Sequence, residues 1–137
     1  MSELGDRMEL IRTGLAAAVP ARLVTRDLED PAQRSHDVMK TGVYTILALN
    51  EQDYTNVPGY EAQTGRQGVL IVGDIAVNED DAPSKIEDAE FTMIDEIKAY
   101  VRNLPAALCV LNLVSVAQSG QVDHPYGWIV ARLEYVP

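Results

Sequence analysis

The chain has 137 residues, with 21 acidic side chains against 11 Lys and Arg and a formal net charge of -10. That length fits one domain, residues 1–137, around a single core, and an apolar share of 47% belongs to a folded chain rather than a disordered one. So few cations argue against tight nucleic-acid binding, which depends on neutralising phosphates, and no apolar run approaches the roughly 18 to 20 residues that cross a bilayer.

The opening "MSELGDRMELIR" carries acidic residues and no unbroken apolar stretch, so a signal peptide is not expected and residence in a cytoplasm is. Leu4, Met8, Ile11, Leu15 and Ala18 recur at helical spacing, with Ser2 placed to cap the start, Glu3 facing Arg7, and Pro20 as the stop. "ARLVTRDL" (residues 21–28) reads as a strand, and "EDPAQRSHDVMKTG" after it as a polar loop holding His36.

"VYTILALN" (43–50) and "GVLIVGDIAV" (68–77) are dense in β-branched and apolar residues and read as strands. The connection between them, "EQDYTNVPGYEAQTGRQ", exceeds ordinary hairpin length and carries Tyr54 and Tyr60 around a "VPG" turn. In "SKIEDAEFTMIDEIKAYVRN", Ser84 and Glu87 have capping-box spacing, and Ile86, Ala89, Met93, Ile97, Tyr100 and Leu104 line one helical face. Glu87, Asp88 and Glu90 complement the positive end of the helix dipole, and Lys98 and Arg102 the negative end.

"AALCVLNLVSVA" reads as a strand covered on both faces, with the single cysteine, Cys109, as a buried apolar thiol. "GWIVARLEYVP" alternates Ile129, Ala131, Leu133 and Tyr135 with Trp128, Val130, Arg132 and Glu134, the second set forming the less buried face. The expectation is an α+β domain: a mainly antiparallel, mixed sheet with two main helices packed on it, in the order α-β-β-β-α-β-β.

"QSGQVDHPYGW" (118–128) joins the last two strands and gathers Ser119, Asp123 and His124. Neighbours in a short turn diverge, whereas a hydrolase triad is assembled from separate elements, and no GxSxG elbow occurs. The composition is that of a hairpin tip open to another chain, which adds His124 and Tyr126 to the contact candidates. Two histidines and one cysteine lack zinc-ligand spacing, and phosphate-cradling glycine loops are missing, so neither metal nor cofactor is expected.

A leading amphipathic helix, a strand, two long strands with an extended connection, "AEFTMIDEIKAYVR", and two last strands ending "GWIVARLEYV" together resemble the tail terminator, or tail-completion, proteins of long-tailed phages, the lambda-type U protein family. The resemblance rests on element order, size, acidity and the aromatic-rich last strand, and covers most of the chain. It implies a non-enzymatic virion component, made in the host bacterial cytoplasm, that caps the tail tube as a hexameric ring. Its implied partners are further copies of itself, the tube protein and the head-tail connector protein. A ring needs two different patches that meet head to tail. From the reading of exposure these are the connection around Tyr54 and Tyr60 and the sheet face carrying Trp128 and Arg132, residue types that dominate interface energy. Under this reading the acidity keeps exiting DNA from adhering. The alternatives are a head-side neck protein, a small hydrolase using Asp123 and His124, and an acidic DNA mimic.

Overall fold

The computed structural model describes residues 2–137. Helix α1 (Glu3–Ala18) starts at Ser2, whose hydroxyl accepts the Gly5 amide at 3.0 Å, and Glu3 pairs with Arg7 at 3.5 Å. Met8, Ile11 and Leu15 are buried, while Leu4 and Ala18 at the ends of the stripe are exposed. Strand β1 is shorter than the expected 21–28 and spans only Leu23–Thr25. Arg22 is pulled out of the ladder by Glu96, which it meets at 2.6 and 3.1 Å, and the Thr25 hydroxyl accepts the Asp27 amide and turns the chain away.

The stretch expected to be a plain loop holds a 3-10 turn (Pro31–Gln33), capped by Asp30, and a six-residue helix α2 (His36–Thr41), capped by Ser35. Alone, so short a helix is unstable; Met39, which is 1% exposed, anchors it against the sheet. This crossover lets β1 run parallel to β2 (Val43–Gln52), which pairs antiparallel with β3 (Arg66–Ala76) through a bulge between Ala48 and Asn50.

Helix α3 (Ser84–Arg102) forms without the expected capping box. Pro83 already has helical angles (φ -54°, ψ -29°) and occupies the cap, so Ser84 lies inside the helix and its side chain does not cap it. A 3-10 turn (Ala106–Leu108) then takes up the start of the apolar run, burying Leu108 and leaving Cys109 exposed, contrary to the expected buried thiol. Strand β4 (Leu111–Gln118) is an edge strand rather than one covered on both faces, and β5 (Tyr126–Tyr135) lies between it and β3.

The sheet order is β1-β2-β3-β5-β4, with every pairing antiparallel except β1 with β2. The fold is thus the expected α+β class, with α2 added to the element order. One face of the sheet, carrying Tyr44, Ile46, Val69, Ile71, Ile129 and Leu133, packs with α1 and α3 residues into one apolar cluster. Each such side chain contributes about 1.5–3 kcal/mol when fully buried. Gly73 lets α3 approach closely, since a Cβ there would lie 2.8 Å from Ile129 and 2.9 Å from Met93.

Buried polar groups tie the layers together. The Tyr44 hydroxyl donates to the Glu96 carboxylate at 2.8 Å and lies 3.0 Å from the Met93 carbonyl; burial foremost, then Glu96, holds its pKa far above the ordinary tyrosine range. Burial likewise pushes the Tyr100 hydroxyl up to about 12. Arg7 lies 3.6 Å over the Tyr135 ring and donates to Gln67 at 2.8 Å, fastening α1 across β3 and β5.

Candidate functional site

Three regions of the molecule carry the side chains singled out by the sequence, and β3 sets their separation. Tyr54 and Tyr60 belong to the connection that leaves β2 at Gln52 and returns at Arg66. It is a hairpin arm: Thr55 and Ala62 amides bond to the Thr64 and Thr55 carbonyls at 2.8 Å, and the Thr55 and Thr64 hydroxyls meet at 3.1 Å. Tyr54, Val57 and Tyr60 are all exposed along it. Trp128 pairs with Asp74, eight residues beyond Arg66 on β3. At about 3.3 Å per residue the two ends lie about 26 Å apart. The arm and the β4–β5 turn are therefore not brought together within one chain.

Arg132 sits between them, opposite Leu70. It lies on the second sheet face with Leu47, Val72 and Val130, all half-buried. Arg132 meets Glu134 at 3.8 Å, and its Nε is buried without a partner. Val43 and Thr45, nearer the α2 end of the same face, are fully buried. Leu49, at the β2 bulge, is exposed. The second face is thus closed near α2 and open towards the arm.

The β4–β5 turn separates the three residues that resembled a catalytic set. Ser119 is buried, and its hydroxyl donates to the Glu90 carboxylate of α3. Glu90 is itself 1% exposed and also accepts the Trp128 amide at 3.1 Å and the Gln118 side chain at 3.4 Å. Gln121 adds a bond to Glu87 at 3.1 Å. These contacts pin the turn to the helix. Asp123 accepts the Trp128 indole N–H at 3.3 Å, and His124 precedes a cis Pro125 with its Nε2 buried and unpartnered. Ser119 is spent on Glu90, so the nucleophile–base–carboxylate relay that triad chemistry needs is not assembled here.

Glu90 was read from the sequence only as complementing the positive end of the helix dipole, and its burial and its bonds to the turn were missed. A signal existed: Glu90 follows Ile86 by four residues and precedes Met93 by three, which puts it on the buried stripe.

Asp123, His124, Tyr126 and Trp128 line a cavity of about 510 Å³ with residues from three other elements. Asp30 and Pro31 come from the 3-10 turn, Met39 from α2 and Asp74 from β3. Asp74 is only 7% exposed, and among the described residues no hydrogen bond or ion pair reaches its carboxylate. Burial raises its pKa, and the nearby Arg34 charge lowers it by less. Arg34 turns instead to Glu29 at 3.8 Å, leaving its own Nε buried and unpartnered. Asp74 was not singled out from the sequence, although an acid inside the apolar run "GVLIVGDIAV" marks a side chain with unusual surroundings.

Among the described residues no group of three His, Cys, Asp or Glu is spaced to hold a metal ion, and no helix is long and apolar enough to cross a membrane. No protein-family model matches the chain, and no curated protein matches it.

Proposed function

We propose that this protein is a structural component of a phage or prophage virion that caps the tail tube as a closed ring of identical subunits, ending tube growth and offering the surface on which the head connector docks. The observation that carries the self-association is the open half of the second sheet face, where Leu47, Leu70, Val72 and Val130 stand half-covered around Arg132. Isolated apolar side chains on a surface are ordinary, but a contiguous set on one sheet face beside a projecting arm marks a contact surface. The arm, with Tyr54, Val57 and Tyr60 exposed, lies at one end of the same strand pair. Two unlike patches on one subunit are what head-to-tail closure requires, and an arm laid over the next subunit's open face satisfies both. The assignment to a tail end rests on the element order and acidity shared in outline with tail terminators.

The experiment is light scattering and native mass spectrometry over a range of concentrations, followed by electron microscopy of tails assembled with and without the protein. A ring-sized species and overlong tubes in its absence are expected. Tyr60→Ala on the arm and Leu70→Glu on the open face are each expected to shift the ring towards monomer, with Tyr60→Ala leaving thermal stability unchanged. A chain that stays monomeric at every concentration, with normal tube lengths when it is withheld, sinks the proposal. Binding to the head connector with no effect on tube length would instead favour a head-side neck protein.

A further inference from the structure

The cavity between α2, the end of β3 and the β4–β5 turn lies at the opposite end of β3 from the arm, and its chemistry points to a ligand of its own. Three carboxylates line it, from Asp30, Asp74 and Asp123. They come from different elements, and no three acidic or imidazole groups converge closely enough for a metal ion. Asp74 is more than nine-tenths buried, lines the cavity and has no hydrogen-bond or ion-pair partner among the described residues; the nearby Arg34 is turned to Glu29. A buried carboxylate with no donor is costly, and the cost is removed by a ligand that supplies N–H groups and positive charge.

We propose that this cavity binds an arginine side chain presented by a partner polypeptide. A guanidinium offers five donors in a flat fork, enough to bridge acceptors too dispersed for a metal ion. The remaining walls suit its other properties. Trp128 and Tyr126 offer aromatic surfaces on which a weakly hydrated planar cation stacks. Met39, Pro31 and Ala32 are apolar and match the methylene stem. The volume, about 510 Å³, lies within the usual range for side-chain-sized and small-molecule ligands. An anion is repelled by this lining and by the net charge of -10, and a neutral ligand adds nothing to the distant compensation that Arg34 gives Asp74. A free arginine molecule brings its own carboxylate next to Asp30 and Asp123, whereas an arginine within a peptide does not. The inference does not depend on ring assembly.

The test is an NMR titration of the full chain, following the Gly127 and Trp128 amides. The probes are N-acetyl-arginine amide, the matching citrulline amide, and free arginine. Citrulline keeps the shape and removes the charge. Saturable shifts with the arginine amide, at least tenfold weaker binding of the citrulline amide, and weaker binding of free arginine are expected. Asp74→Asn is expected to weaken the arginine amide at least tenfold while raising the melting temperature, so that loss of binding is not loss of fold. Arg132→Ala, away from the cavity, is expected to leave binding unchanged. Equal binding of arginine and citrulline amides, or an Asp74→Asn variant that binds like the parent, overturns the proposal, as does an absence of saturable shifts. Tighter binding of free arginine than of its amide overturns the polypeptide source.

Discussion

Glu90 and Asp74 are both buried carboxylates at the same end of the sheet, and their surroundings are opposite. Glu90 accepts from the Ser119 hydroxyl, the Trp128 amide and the Gln118 side chain, and among the described residues no ion pair reaches it. Its lone pairs are filled by groups that are themselves fixed in the β4–β5 turn, so the charge acts as a fastener between that turn and α3. Asp74 receives no hydrogen bond among the described residues, faces a cavity, and is compensated only at a distance by Arg34. Burial of an acid is therefore not by itself a sign of either structure or function. The number of donors already in place separates the two cases: a saturated carboxylate stabilises the fold, and an unsaturated one facing a cavity costs stability and leaves room for a ligand.

Substitutions at these two carboxylates put the contrast to the test. The largest effect is expected for Glu90→Ala, which strands the Trp128 N–H and the Ser119 hydroxyl and opens a void beneath the turn; a loss of about 3 kcal/mol in urea denaturation is expected. Ser119→Ala removes one donor from the same carboxylate and should cost about 1.5 kcal/mol, the scale of a hydrogen bond to a charged group. Asp74→Asn should go the other way and add about 1 kcal/mol at neutral pH, because it removes a buried charge that lacks a partner. Asp74 carries a raised pKa, so the folded state binds its proton more tightly than the unfolded state does. Its contribution therefore favours folding at low pH and is lost as pH rises from the ordinary aspartate range through the raised value. The gain from Asp74→Asn should accordingly shrink as pH falls through that window, which a pH series of melts will show. The smallest effect is expected for Asp123→Asn: this residue is exposed, so stability should change by less than about 0.5 kcal/mol, while affinity for the arginine amide falls. A stability loss on Asp74→Asn, or indifference to Glu90→Ala, would erase the distinction between the two sites.

Most of the scaffold was legible in the residues. The period of apolar side chains marked α1 and α3, and strict alternation marked β5, because a half-buried helix or strand repeats its environment every 3.6 or 2 residues. Helix α2 was not legible: six residues carry too little of a period, and the breakers around it dominate the local signal. Strand β4 and Cys109 were misjudged for a different reason. Apolar composition says that a segment prefers burial, but not whether the sheet ends there, and β4 is an edge. The expected box at Ser84 failed because the backbone angles of Pro83 moved the cap by one residue.

The site divides the same way. The exposure of Tyr54 and Tyr60 followed from a polar, turn-rich connection longer than a hairpin needs, and the mixed face of β5 from its alternation. By contrast, Ser119 bonding to Glu90 rather than to His124 depends on how the turn docks on α3. The cavity around Asp74 draws on segments from residue 30 to residue 128. Side-chain spacing along one local element was enough to read α1, α3 and β5 and the apolar face of each. Which buried acid finds its donors and which lines a cavity was settled by packing. That choice depends on the crossing of elements distant in the chain, and no local period encodes it.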